Sequence, residues 1–168
     1  MLCESLSDPE GSDSGRAGSR MRGLGLLPAV TVFSSQKTRR QVKGSVCAGE
    51  LAGASVTGYE IHMGETRVAD GTDPFAKIRC ETENDEGSAG SLTDGCTKGS
   101  VFGTYIHGLF DSGELTEKLA SYLMKKKGIT ADSVSVESRT SYKERQYARL
   151  ADIVRGSLDM EAVYRALR

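Results

Sequence analysis

The run Gly103-Thr104-Tyr105-Ile106-His107-Gly108-Leu109-Phe110-Asp111 constrains the fold more than any other stretch. Val101 to Ile106 is a short β-branched and aromatic segment that stops at His-Gly, the pattern of a buried strand ending in a tight turn. Asp111, Ser112 and Glu114 then open a helix, which puts His107 on a strand-to-helix junction, where α/β proteins commonly place their chemistry. Taken alone, His107 also fits a capping or satisfied core histidine.

A chain of 168 residues is long enough for one domain with a proper core and too short for two comfortable ones. Its 22 Lys and Arg against 23 Asp and Glu leave a formal charge of −1, so no broad field recruits nucleic acid or an anionic membrane. Small molecules or proteins are the expected partners. No apolar run approaches membrane-spanning length, and the start, with Glu4, Asp8 and Glu10, lacks the basic and apolar regions of a signal peptide. A cytoplasmic location is expected. Cys3, Cys47, Cys80 and Cys96 are far apart without CxxC spacing, and read as free thiols. With His62 and His107 as the only histidines, a metal site is short of ligands, and none is expected.

Residues 5–22 are rich in Gly, Ser, Asp and Arg without either structural period, which predicts a flexible N-terminal segment over 1–22 ahead of a domain at 23–168. Ala29 to Phe33 reads as an extended run after Pro28, and Gln41 to Ala48 as a half-exposed strand. In Val56 to Gly64, Tyr59, Ile61 and Met63 alternate against Gly58, Glu60 and His62, so one face is expected to be apolar and the other to carry the polar pair. Phe75 to Cys80 is a further candidate strand, and 81–99 a polar connection with a turn signal at Asp94-Gly95. Leu115, Leu119, Tyr122 and Leu123 mark one face of an amphipathic helix ending at Lys125 to Lys127 and Gly128. A helix from about Tyr142, with Tyr147, Leu150 and Val154 on one stripe, breaks near Gly156-Ser157, and Asp159 caps a last short one. Strands first and helices last suggest α+β or an incomplete α/β domain.

Four blocks together resemble the glutamine amidotransferase domain of the cobyric acid synthase family. They are Gly23 to Phe33, Lys37 to Val42, Gly58 to Gly64 and Gly103 to Asp111, and the tail around Tyr142 to Glu144 and Arg149 to Asp152 is similar as well. Amidotransferases that act on cobyrinic acid or on a cell-wall lipid precursor share the histidine block; Tyr59 to Gly64 favours the cobyric acid branch. The resemblance implies the C-terminal part of a class I, flavodoxin-like amidotransferase domain, with a mixed sheet and C-terminal helices. It further implies a cysteine on a strand-to-helix elbow that attacks the glutamine side-chain amide, with His107 as catalytic acid–base and elbow N–H groups holding the oxyanion. Ammonia then passes to an N-terminal synthetase domain, which binds ATP and Mg and amidates corrin carboxylates; no cofactor is implied for the present residues. Glu60 and His62 are either strand residues on the polar face or groups lining the pocket or the synthetase contact.

Two departures bear on mechanism. Other amidotransferases of this class carry a glutamate two residues after the histidine to orient it, and here that position is Leu109, as in the cobyric acid branch. Met1-Leu2 look like the end of the family's Gly-x-Cys-Gly-Gly-Tyr-Gln-Met-Leu-Gly segment, so the nucleophile is expected upstream of residue 1 and Cys3 well beyond the elbow. The chain alone is thus expected to lack glutaminase activity and to be marginally stable. The competing readings are a non-catalytic amidotransferase-like module, an amidotransferase for another acceptor, and an unrelated Cys–His hydrolase using Cys3.

Overall fold

The computed structural model describes residues 1–80, 92–111, 113–129, 137 and 139–167. The chain opens with two short strands, β1 (Ser5–Asp8) and β2 (Ser19–Arg22), followed by the long β3 (Ala29–Val46). A 3-10 turn at Gly49–Leu51 leads into β4 (Ser55–Val68), and β5 (Ala76–Cys80), β6 (Leu92–Asp94), β7 (Cys96–Lys98), β8 (Val101–Gly103) and β9 (Ile106–His107) follow. Three helices complete the chain: α1 (Gly113–Lys126), α2 (Arg139–Ser157) and α3 (Met160–Ala166). This is a mixed α/β fold with a mixed sheet and C-terminal helices, the arrangement the sequence resemblance implies.

Strands β3 and β4 form the spine, an antiparallel hairpin with a register shift between Val32 and Lys37. The strand expected over 29–33 and the one expected over 41–48 are two halves of one element, because β4 supplies a continuous partner across the polar stretch between them. On its free side the first half of β3 pairs in parallel with β1, and the second half pairs antiparallel with β5. Strand β2 extends the sheet beyond β1, β6 extends it beyond β5, and β9 adds to the outer edge of β4. The pair β7–β8 stands as a separate two-stranded ladder.

Two cores result. The larger gathers Val42, Val46, Leu51, Val56, Phe75, Ile78 and Ile106 beneath α1, which contributes Leu115 at 1% exposure with Leu119 and Tyr122 packed beside it. The expected helical stripe therefore forms, except that Leu123 stays in solvent. Glu114 at the start of α1 accepts from the Ser55 N–H and hydroxyl, which ties the helix to β4. Its far end closes on Gly128, with Ile129 N–H donating to the Met124 carbonyl and Gly128 N–H to that of Lys125. The smaller core holds Cys3, Leu6, Leu27, Ala29 and Cys96.

Within residues 5–22, read from the sequence as a segment without a structural period, the chain forms β1 and β2 around a tied loop. Leu6 and Asp8 are buried, and the Asp8 carboxylate accepts from the N–H groups of Ser12, Asp13 and Ser14 and from the Ser14 hydroxyl. A single carboxylate thus satisfies the amides of a loop that has no sheet partner of its own. Helices α2 and α3 form where expected, and Asp159 caps α3 by accepting from Ala162 N–H. No residue of either is buried; Tyr147, Leu150 and Val154 lie at the surface. The polar connection expected over 81–99 falls partly outside the described residues, at 81–91, while Asp94-Gly95 does form the bend between β6 and β7. Among the described residues, no helix is long and apolar enough to cross a membrane.

Candidate active site

The run from Val101 to His107 is not one strand but two. Strand β8 pairs with β7, the chain breaks at Thr104 and Tyr105, and β9 pairs with β4 through Tyr59 opposite His107 and Glu60 opposite Ile106. Ile106 is buried at 5% exposure and His107 is exposed. Gly108 follows with φ +79°, a conformation a side chain resists, and Asp111 N–H donates to the Gly108 carbonyl at 2.9 Å to close the turn toward α1. His107 thus stands at the tip of a strand, on a turn, with its ring toward solvent and no side-chain hydrogen bond to it from the described residues.

Strand alternation decides which groups can reach that ring. Directly opposed residues of an antiparallel pair share a face, so His107 lies on the face of half-exposed Tyr59, and Glu60 on the opposite face with Ile106. Glu60 is therefore not an orienting acid for His107.

Glu60 and His62 do share one face of the Tyr59 to Met63 strand, and at Glu60 that face is the buried one. Val56, Gly58 and Glu60 point inward, while Tyr59 is 50% exposed. Burial of a carboxylate is costly unless it is paired, and here Arg40, its cross-strand partner, donates from Nε at 2.6 Å. His62 Nε2 lies 2.8 Å from the other carboxylate oxygen, and its Nδ1 lies 2.9 Å from the Gly64 carbonyl. Burial pushes the Glu60 carboxyl up, but the bonds from Arg40 and His62 outweigh it and hold it below its ordinary value. The Tyr105 ring stacks on His62 with centroids 4.6 Å apart, and its hydroxyl meets Thr66 at 2.6 Å, which in turn meets Thr31 at 2.8 Å. This row of hydroxyls edges an otherwise apolar cleft of about 330 Å³ beside Cys3, Cys96 and Thr104.

Asp94 and Thr104 were not singled out as site residues by sequence. Asp94 is 3% exposed at the end of β6 and accepts from the Thr104 hydroxyl and, at 3.2 Å, from Tyr105 N–H. Burial pushes its carboxyl up, and those two bonds offset only part of the effect. The sequence signal was present, as an Asp-Gly pair, but it pointed only to a turn. Of the thiols, Cys3 and Cys96 sit in the smaller core and line this cleft, and Cys47 and Cys80 are partly exposed.

Residues 1–115 match the family described as the CobB/CobQ-like glutamine amidotransferase domain, and the chain belongs to that family. Among curated proteins it is 40% identical to the cobyric acid synthase of Ruminiclostridium cellulolyticum, over 99% of this chain and 32% of that protein. The cobyric acid synthases of Lachnoclostridium phytofermentans (38% identical, 99% of this chain, 34% of that protein) and Klebsiella pneumoniae (36%, 100% and 32%) are similar in the same way. The chain spans about a third of the length of the curated relatives it matches.

Proposed function

We propose that these residues form the glutaminase part of a cobyric acid synthase, in which His107 is the acid–base. The observation that supports this reading above the others is the placement of His107, solvent-exposed at the tip of β9 beside the Gly108 turn. In that reading the imidazole takes the proton of a cysteine thiol, and the thiolate attacks the glutamine side-chain amide carbon. The tetrahedral intermediate collapses with expulsion of ammonia, to which the imidazolium gives its proton, and water releases glutamate from the thioester. Burial of Cys3 in the smaller core disfavours it as that thiol, and in this reading the thiol is that of the family's elbow segment.

The ammonia is passed to a synthetase part that uses ATP and Mg to activate corrin side-chain carboxylates, in the cytoplasm. The similarity to cobyric acid synthases over nearly the whole chain supports that acceptor over a cell-wall lipid precursor. A chimera joining this chain to the remaining segments of the R. cellulolyticum synthase tests the reading. Glutamate release is expected, and His107→Ala should reduce it about 100-fold or more, the usual contribution of a positioned acid–base. Parental turnover in His107→Ala would remove His107 from the mechanism.

A further inference from the structure

We propose that Asp94 is the positioning residue for His107, acting through Thr104 and the main chain of residues 104–106 in place of an acid on the ring. The inference rests on the catalytic reading of His107. Where other amidotransferases of this class orient the histidine with an acid two residues later, this chain has Leu109, which packs against the larger core. The orientation of the ring then has to come from the backbone that carries it.

That backbone is weakly held by its own strand. Strand β9 has two paired residues, and ahead of it Thr104 and Tyr105 have left the β7–β8 ladder, with a long 3.5 Å bond from Ile61 N–H to the Tyr105 carbonyl as their remaining main-chain tie to β4. Asp94 fills the gap. One carboxylate oxygen accepts from Tyr105 N–H and the other from the Thr104 hydroxyl. The same Thr104 oxygen accepts from Ile106 N–H at 3.0 Å, so one buried carboxylate ties together the two amides immediately ahead of His107, while the Tyr105 side chain is held separately by Thr66 and His62.

Asp94 is itself fixed from behind. Its carbonyl accepts from Phe75 N–H at 3.1 Å, and its strand registers with Ala76 in the larger core. The next residue, Gly95, has φ +65°, and a Cβ there would fall 1.8 Å from the Gly103 carbonyl oxygen, so the Asp94 turn is pressed against the end of β8. Rigid anchorage on one side and three hydrogen bonds on the other make this a lever on the position of the imidazole. Displacement of a catalytic group by about 1 Å is enough to cost on the order of 100-fold in rate.

The chain has two histidines, so ring ¹⁵N labelling gives one set of signals each for His62 and His107. Thr104→Val, which removes the hydroxyl link, should shift and broaden the His107 signals, with only a smaller shift at His62 through the Tyr105 ring stacked on it; Thr104→Ser should restore the parental spectrum. In the chimera, Thr104→Val should lower kcat for glutamine hydrolysis about 10- to 100-fold with KM within about twofold, and Thr104→Ser should recover most of it. Asp94→Ala supplies the same readouts if Thr104→Val does not fold, because it removes the acceptor of both the Tyr105 N–H and the Thr104 hydroxyl. Unchanged His107 signals, equal broadening of both rings, or parental kcat in the variants would overturn the proposal. Parental turnover in His107→Ala would instead strike the catalytic reading, leaving the effect of Thr104 on the ring to stand or fall by the spectrum.

Discussion

A Cβ atom on Gly58 would stand 2.2 Å from the main-chain carbonyl oxygen of His107 and 2.8 Å from Ile106 Cγ2. The edge of β4 can receive β9 only because residue 58 has no side chain. Gly58→Ala is expected to force the two strands apart at the residue that carries the imidazole. As an overpacking change it should cost about 1–3 kcal/mol, seen as a lower denaturant midpoint at unchanged slope, and in the chimera it should lower glutamine turnover as well. A variant with parental midpoint and turnover would show that β9 has room to move.

Glu60 makes a second prediction through its partners. Arg40→Met removes the cation from a carboxylate that is 6% exposed, leaving His62 as its remaining side-chain partner. The guanidinium is itself partly solvated, so the loss should be about 2–3 kcal/mol, below that of a fully buried broken pair. Combining Arg40→Met with Glu60→Leu should recover much of that stability, since replacing both charges removes the unpaired one. A double variant no more stable than Arg40→Met in urea would show that the cost lies in lost packing of the arginine stem.

The Asp8 loop predicts a pH dependence of definite sign. The amides of residues 12–14 and the Ser14 hydroxyl draw the Asp8 carboxyl down from 3.8 to about 2. A carboxyl that holds its proton less tightly in the fold than in the unfolded chain stabilises fully above the unfolded value and loses that contribution as the pH falls through the folded one. Asp8→Asn should therefore melt at a lower temperature than the parent at pH 7, and the gap should close between about pH 4 and pH 2. A gap that stays constant over that range would mean the carboxylate charge contributes nothing.

How far the sequence disclosed this molecule depended on the range of each interaction. The helix at Leu115 to Lys126 and the junction at His107 were legible because period and turn chemistry are local, and the family resemblance carried the rest of the fold class. That Glu60 and His62 share a face was legible from alternation, but the burial of Glu60 was not, because the Arg40 that makes it tolerable lies 20 positions away. Asp8 failed for a related reason: four residues of strand give too short a pattern, and a carboxylate collecting amides from its own loop looks like any acidic loop residue. Asp94 announced a turn by its glycine neighbour, while its hold on Thr104 and Tyr105 required two ladders to meet. The orientation of His107 was thus hidden even though its position was plain.

The thiols offer the most direct check on where the nucleophile lies. Reaction with an alkylating agent needs a thiolate and access to it. Cys3 and Cys96 are 5% and 3% exposed in the smaller core, and burial further raises the Cys96 thiol above its ordinary value. Cys47 and Cys80 are partly open to solvent. Iodoacetamide at mildly alkaline pH, followed by peptide mass analysis, should modify Cys47 and Cys80 within minutes and leave Cys3 and Cys96 protected until denaturant is added. Fast and selective labelling of Cys3 in the folded chain would reverse the argument, since a reactive Cys3 is what a Cys–His hydrolase built from these residues requires. Protection of Cys3 is the outcome expected if the proposed glutaminase draws its thiol from elsewhere.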